Sequence, residues 1–306
     1  MVPPDDFNPP IGAAEQIAPG LRRIVAPNPS PMTYRGTNTY LLGTTEIAVI
    51  DPGPSDQTHL AAILAAVTPA QKITHILVSH THLDHSPLAA PLSAATGAPV
   101  LAFGTATAGR SAIMRDLVRQ GLTSGGEGID TGFVPHITLA DGERLRSADW
   151  TLEVLHTPGH LGNHICLAWE DACFTADHVM GWASSLVSPP DGDLTDFMAA
   201  CRRLQARRWG VFYPGHGAPI DSPHTRLDWL IAHRLKRESA ILETLSKGPG
   251  TAADLTSCIY LDIPKGLLPA ATRNVLAHLI DLHGKSMVQT TAGIEIDAVF
   301  GLREHC

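Results

Sequence analysis

Residues 79–85 read SHTHLDH and set four potential metal donors, His80, His82, Asp84 and His85, within six positions, directly after an apolar run at 73–78. Imidazole and carboxylate groups bind a metal when several deprotonated donors converge on one point about 2.0–2.2 Å away. In an extended segment His80 and His82 project to the same side, so they can share one ion. Asp84 and His85 follow where the chain bends towards a helix at 87–95, and they face a second ion beside the first. Each site still needs ligands from elsewhere, and three strand ends offer them: His160 in TPGH, Asp177 in FTADH and His216 in YPGHG. The Gly and Pro before the two histidines fit tight turns that bring backbone close to the site. A lone histidine is ordinarily a surface or supporting residue, and His59, His75, His136, His156, His224, His233, His278, His283 and His305 are read that way. Four donors in six positions, followed in order by three more at strand ends, predict a metal cradle.

The elements that must position this cradle come in a strand-rich order. LRRIVAPN, NTYLLG and EIAVIDPG read as early antiparallel strands. A helical period at 57–67 follows Ser55, the expected cap. Then come the strand ITHILVSH, the helix at 87–95, the short strand PVLAFG and a Gly-rich stretch at 121–135, expected to be a mobile surface loop. HITLADGERL, WTLEVLHTPGH and HICLAWEDACFTADHV continue the strands, and a helix at 194–208 leads into GVFYPGHG. Strands interleaved with helices predict two sheets packed face to face with helices outside. After Asp221 the pattern becomes helix, helix, helix and hairpin, the order of a small winged-helix module. That segment carries nine Lys/Arg against ten Asp/Glu, so it lacks the charge of a free-standing DNA reader.

Composition narrows the classes. A chain of 306 residues that is 44% hydrophobic and 17% charged is an ordinary globular protein, and a net charge of −8 argues against a surface built to collect phosphates. Cys166, Cys173, Cys201, Cys258 and Cys306 form no CxxC pair, which predicts reduced thiols in a cytoplasm. The opening MVPPDDFNPP lacks the basic and apolar regions of a secretory signal, and no apolar stretch is long enough for a membrane span.

HTHLDH is similar to the HxHxDH signature of the metallo-β-lactamase superfamily, and TPGH, the Asp of FTADH and PGHG match its later motifs in order. The resemblance runs from about Thr37 to the C-terminus. TADHVMGW, SPPDGDL, YPGHG and the HRLKRE helix before a winged-helix tail look like the β-lactamase-like protein 2 branch. It implies an α/β (α+β) fold: an αββα sandwich over residues 1–220, then a winged-helix domain with a long linking helix over 221–306. It also implies two zinc ions per chain, with manganese or iron as substitutes. His80, His82 and His160 would hold the first, Asp84, His85 and His216 the second, and Asp177 would bridge both. The sequence departs from the pattern at Ala176, where many relatives carry Gly, and at Leu161, where Thr is common; both changes bear on ligand orientation rather than on metal binding. His164 and His178 are expected to support ligands or face substrate.

Two ions about 3.5–4 Å apart can activate a hydroxide between them and polarise a carbonyl or phosphoryl oxygen. Asp84 would then act catalytically by orienting that hydroxide. The expected activity is hydrolysis of an ester, thioester or lactone of a small molecule. The alternative is endoribonuclease or phosphodiesterase action on single-stranded RNA, kept open by Arg202, Arg203, Arg207, Arg208 and the 234–237 run, although such runs are more often solvated helix faces. A diiron oxidoreductase or a winged-helix regulator fits less well, since His82 is intact and a regulator leaves the metal set unexplained. The tail is expected to cover the active-site mouth.

Overall fold

A computed structural model describes residues 6–123, 128–291 and 293–303. In chain order the first half comprises β1 (Glu15–Ala18), β2 (Leu21–Val25), β3 (Asn38–Leu42), β4 (Glu46–Ile50), α1 (Gln57–Ala65), β5 (Lys72–Leu77), α2 (Ala89–Thr96), β6 (Val100–Ala102), α3 (Ala112–Arg119) and β7 (Ile137–Thr138). There follow β8 (Arg144–Arg146), β9 (Thr151–His156), β10 (Ile165–Trp169), β11 (Ala172–Ala176), α4 (Leu194–Gln205) and β12 (Val211–Pro214). The remainder is α5 (Pro223–Leu245), α6 (Ala252–Ile259), α7 (Leu268–Gly284) and the hairpin of β13 (Val288–Thr290) and β14 (Phe300–Leu302).

Strands β1 to β7 form one sheet in sequential order, and β12-β11-β10-β9-β8 form a second. Both are buried on two faces, and the period-2 alternation shows how. Tyr40, Leu42, Ala48, Ile50 and Leu77 point inward to meet Val154, Ile165, Leu167, Phe174 and Tyr213 of the other sheet. Their neighbours Leu41, Ile47, Val49 and Ile76 point outward onto Ile63 of α1 and Leu92 of α2. In the second sheet Leu155, Cys166, Ala168 and Cys173 face outward onto Phe197, Cys201 and Leu204 of α4. Alternating apolar residues on both faces therefore dictate the four layers of an αββα sandwich. Helix α5 ties this sandwich to the tail, with Leu227 and Leu230 in the α4 core and Ile241 and Leu245 in the core built with α6, α7 and the β-hairpin. Among the described residues no helix is long and apolar enough to cross a membrane.

Several local expectations are corrected. HITLADGERL is not one strand: a turn at 140–143, with Gly142 at φ +77, sends β7 to the first sheet and β8 to the second. In GIEIDAVF only Phe300 pairs, because Ile294 and Ala298 are drawn into the core of the tail. Strand β1 and helix α3 have no counterpart in the pattern reading; α3 places Met114 and Leu117 against the tail's core. Within the 121–135 stretch, residues 124–127 lie outside the described residues, while Gly128, Ile129 and Asp130 are fastened to the histidine segment: Leu83 N–H donates to Gly128 O at 2.8 Å and Asp130 N–H to Thr81 O at 2.8 Å.

The cap of α1 is Asp56 rather than Ser55; its carboxylate accepts the His59 N–H at 2.8 Å. Asp56→Ala should cost about 1 kcal/mol, the usual worth of such a cap, whereas Ser55→Ala should leave stability unchanged. Parallel thermal or urea denaturation of the two variants checks the assignment.

Candidate metal centre

The carboxyl ends of β4, β5, β9, β11 and β12 meet at one edge of the sandwich, and the loops leaving them carry the polar side chains. The sheets are sewn together there by Ile165 N–H to Ser79 O at 2.8 Å and Asn38 N–H to Gly215 O at 2.7 Å. All seven candidate residues converge at this edge in two groups. His80, His82, His160 and Asp177 form the first, and Asp84, His85, His216 and Asp177 the second; within each group the potential donor atoms lie within 4.8 Å of one another.

Tetrahedral coordination with bonds of about 2.0–2.1 Å requires donors about 3.3–3.5 Å apart. In the second group Asp177 Oδ1 lies 3.4 Å from both His85 Nε2 and His216 Nε2, Asp84 Oδ2 lies 3.1 Å from His216 Nε2, and the two imidazole nitrogens are 3.4 Å apart. In the first, His82 Nδ1 lies 3.0 Å from both His80 Nε2 and His160 Nε2, with Asp177 Oδ2 at 4.0 and 3.7 Å from those two nitrogens. Asp177 thus offers one oxygen to each group. Its buried Oδ1 has no well-formed hydrogen bond, as expected of an oxygen shaped for a cation.

The far side of most rings is held so that the inward nitrogen is free. His160 Nδ1 is 2.6 Å from Leu186 O and His216 Nδ1 3.2 Å from Gly36 O, so each donates there and turns Nε2 inward. Asp51 does the same for both groups at once. Its carboxylate accepts from His85 Nδ1 at 2.9 Å and from Ser79 N–H and Oγ–H at 2.7 Å each, and the Ser79 hydroxyl oxygen in turn takes His80 Nδ1–H at 2.9 Å. The sequence reading missed Asp51. The available signal was a carboxylate closing the apolar strand EIAVI just before Pro-Gly. Its φ of +52 is a conformation that Asp tolerates better than most residues.

Electrostatics separate the two groups. Burial works against the cation of His85, but Asp84, Asp177 and Asp51 outweigh it and hold that imidazole well above its usual range. His216 is likewise raised to about 9 by Asp177 and Asp84 against the cost of burial. Burial is also the largest influence on the carboxyls of Asp84 and Asp177 and pushes them up, yet His85 and His216 bring both well below the normal carboxylate range. In the first group burial and neighbouring imidazoles depress His80 and take His82 to about 3, which favours the neutral rings that a metal would require. The second group, with two carboxylates, is the more acidic pocket, and a cation bound there would displace the protons that its raised imidazoles favour.

His164 and His178 sit behind the ligands rather than at the mouth. Both are fully buried, with His164 Nδ1 2.9 Å from Thr157 Oγ1 and His178 Nε2 3.5 Å from Cys201 Sγ, and burial lowers both pKa values. Ala176 has φ +42, a left-handed conformation costing a non-glycine residue roughly 1–2 kcal/mol. Its buried methyl offsets about 0.8 kcal/mol of that, and the extra chain entropy of a glycine about 0.5–1 kcal/mol, so Ala is tolerated.

Residues 32–216 match the profile of the metallo-beta-lactamase superfamily, more than half of the chain. The chain belongs to that superfamily. Residues 251–292 of this metallo-β-lactamase protein match the beta-lactamase associated winged helix domain. It is 30% identical over 294 residues to a beta-lactamase-like protein 2 homolog of Drosophila melanogaster, covering 93% of this chain and 96% of that one. It is 31% identical to an atrochrysone carboxyl ACP thioesterase of Paecilomyces divaricatus, over 84% of this chain and 76% of that protein. Among solved structures, a metallo-beta-lactamase family protein from Thermus thermophilus superposes with a TM-score of 0.75 at 26% identity, covering 94% of this chain and all of that one.

Gly215 gives the cradle a clean test. Its backbone is not in the left-handed region, but a Cβ there would lie 2.4 Å from Asp177 Oδ1 and 2.8 Å from His85 Cε1. Gly215→Ala should therefore spare the fold and lose metal. The melting temperature in chelator should stay near that of the parent, while elemental analysis shows metal content falling and hydrolytic activity falls with it. Unchanged metal content would show that the cradle has room to spare.

Proposed function

We propose that this metallo-β-lactamase-fold hydrolase holds two divalent ions, zinc by preference, and cleaves the thioester of a small acyl substrate, with oxygen esters and lactones as related substrates. The division of the Asp177 carboxylate between two donor groups carries the two-ion reading. Nitrogen and oxygen donors without thiolate suit zinc, with manganese and iron as weaker candidates. Ions bound in these groups supply Lewis-acid polarisation of a carbonyl and a nucleophile from water at neutral pH.

The chain's own residues fit the remaining tasks. His80, His82 and His160 serve as ligands of the first ion, Asp84, His85 and His216 of the second, and Asp177 bridges. Asp84 is the most solvent-facing of the seven, its side chain 25% exposed against 10% for Asp177. It stays ionised and is placed to accept a proton from an attacking water and orient it. A small cavity beside the first group, with room for about one water, is walled by Ile129, Leu161 and Leu186, with Ser188 and Asp191 as polar members. The fungal relative named as an acyl-carrier-protein thioesterase supports the thioester choice.

Part of the basic clusters that kept RNA open is engaged within the molecule, while Arg202, Arg208 and Lys236 are exposed. Arg203 pairs with Asp141 at 2.8 Å, Arg207 with Glu153 at 3.0 Å, and Arg234 is buried rather than solvated. We take residues 1–220 as the catalytic unit and 221–306 as the unit that shapes its mouth, since Arg273 of α7 reaches Ser188 Oγ at 2.9 Å on the cavity wall. Buried unpaired thiols at Cys166, Cys173 and Cys201 favour a cytoplasmic location.

Purified protein supplied with zinc should hydrolyse short acyl-pantetheine thioesters, lose that activity to chelator, and leave single-stranded RNA intact. Asp84→Ala should lower kcat by roughly 10²–10⁴-fold, the range for removal of a proton-handling group. RNA cleavage without thioester, ester or lactone turnover would reverse the assignment.

A further inference from the structure

The segment 185–187 leaves the sandwich, passes behind the first donor group and is gripped by the tail. The peptide between Leu186 and Val187 is engaged at both ends. Its carbonyl oxygen takes His160 Nδ1–H at 2.6 Å, and its N–H donates to Asn274 Oδ1 of α7 at 3.1 Å. Asn274 is itself held in place. Its Oδ1 also accepts from Arg234 of α5 at 2.9 Å, and its amide nitrogen donates to Ala270 O at 3.2 Å. Arg234, 3% exposed, gives a second hydrogen bond to Ser185 O. The Ser185 hydroxyl donates to Asp177 O and, at 2.9 Å, to His178 O. Three consecutive residues of one loop thus touch a histidine and the shared aspartate on one side and the winged-helix unit on the other.

We propose that Asn274 is a positioning residue: from the winged-helix unit, with Arg234 bracing it, it fixes the Leu186–Val187 peptide plane and thereby the ring orientation of His160. A peptide plane is rigid, so anchoring its N–H sets the direction in which its carbonyl faces. That carbonyl decides which His160 nitrogen carries the proton and where the other one points. The role of the tail is then to keep one ligand of the first ion in register, in addition to covering the mouth. The inference rests on the reading of His160 as a metal ligand.

Asn274→Leu keeps the branched shape and removes the acceptor, whereas Asn274→Asp keeps an acceptor for both Val187 N–H and Arg234. Leu276→Ala, on the same helix but in the core of the tail, is the control for mere destabilisation. Zinc affinity of the full-length protein, measured by competition with a chromophoric chelator, should fall roughly 10- to 100-fold for one of the two ions in Asn274→Leu, the usual effect of losing a partner behind a metal-binding histidine. Asn274→Asp should restore it, and Leu276→Ala should retain it despite a lower melting temperature. In the metal-free protein the His160 Nδ1–H proton should give a slowly exchanging NMR signal that Asn274→Leu abolishes. Parent-like affinity in Asn274→Leu, or an equal loss in Leu276→Ala, would overturn the proposal. If the parent itself binds no zinc, the metal reading fails, and the NMR signal alone decides the positioning role: its loss in Asn274→Leu upholds that role and its survival removes it.

Discussion

Five imidazoles and two carboxylates share a pocket at the edge of this sandwich with their lone pairs aimed at one another. Such an arrangement repels itself and forgoes hydration, so it is tenable only with positive charge between the donors. The carboxylates hold the imidazoles of His85 and His216 above their usual range, which favours protons there in the chain alone, and a bound metal would supply that charge instead. Most other features of the edge follow from holding these donors at separations of 3.0 to 4.0 Å. The strands end together there, Gly215 omits a side chain that would collide with Asp177, and Asp51 accepts the outward protons of one histidine directly and another through Ser79.

The site is also where the two sheets and the tail meet. Asn38 and Ile165 join the sheets beside the donors, and the 185–187 segment hands the contact on to α5 and α7. A winged-helix order would suit a nucleic-acid reader in isolation. Here its long helix contributes Leu227 and Leu230 to the α4 core of the sandwich, and its buried arginines grip loop carbonyls: Arg226 donates to Met180 O at 2.6 Å and Arg234 to Ser185 O. The module is thus packed into the sandwich through an apolar core and buried arginines.

The convergence of the seven His and Asp residues and the layer order were legible in the sequence because both rest on local or periodic signals. HTHLDH brings four of the seven together by spacing alone, and the alternation of Tyr40, Leu41 and Leu42 between the two cores reads directly as a strand buried on both faces. What escaped depends on contacts remote in sequence. Asp51 looks like any residue before a turn until His85 and Ser79 are seen around it. HITLADGERL has continuous strand propensity, and only a turn at Gly142 reveals that its halves belong to different sheets. The cap passed from Ser55 to Asp56 because it is the Asp56 carboxylate that meets the His59 N–H. The grip of Asn274 on residue 187 spans 87 positions, beyond the reach of any motif.

The shared carboxylate is the centre of this account, and anomalous diffraction at the zinc edge from crystals grown with zinc tests it most directly. Two peaks should lie about 3.5–4 Å apart, one on either side of Asp177, the first ringed by His80, His82 and His160 and the second by Asp84, His85 and His216. A single peak, or two peaks that do not share Asp177, would contradict it.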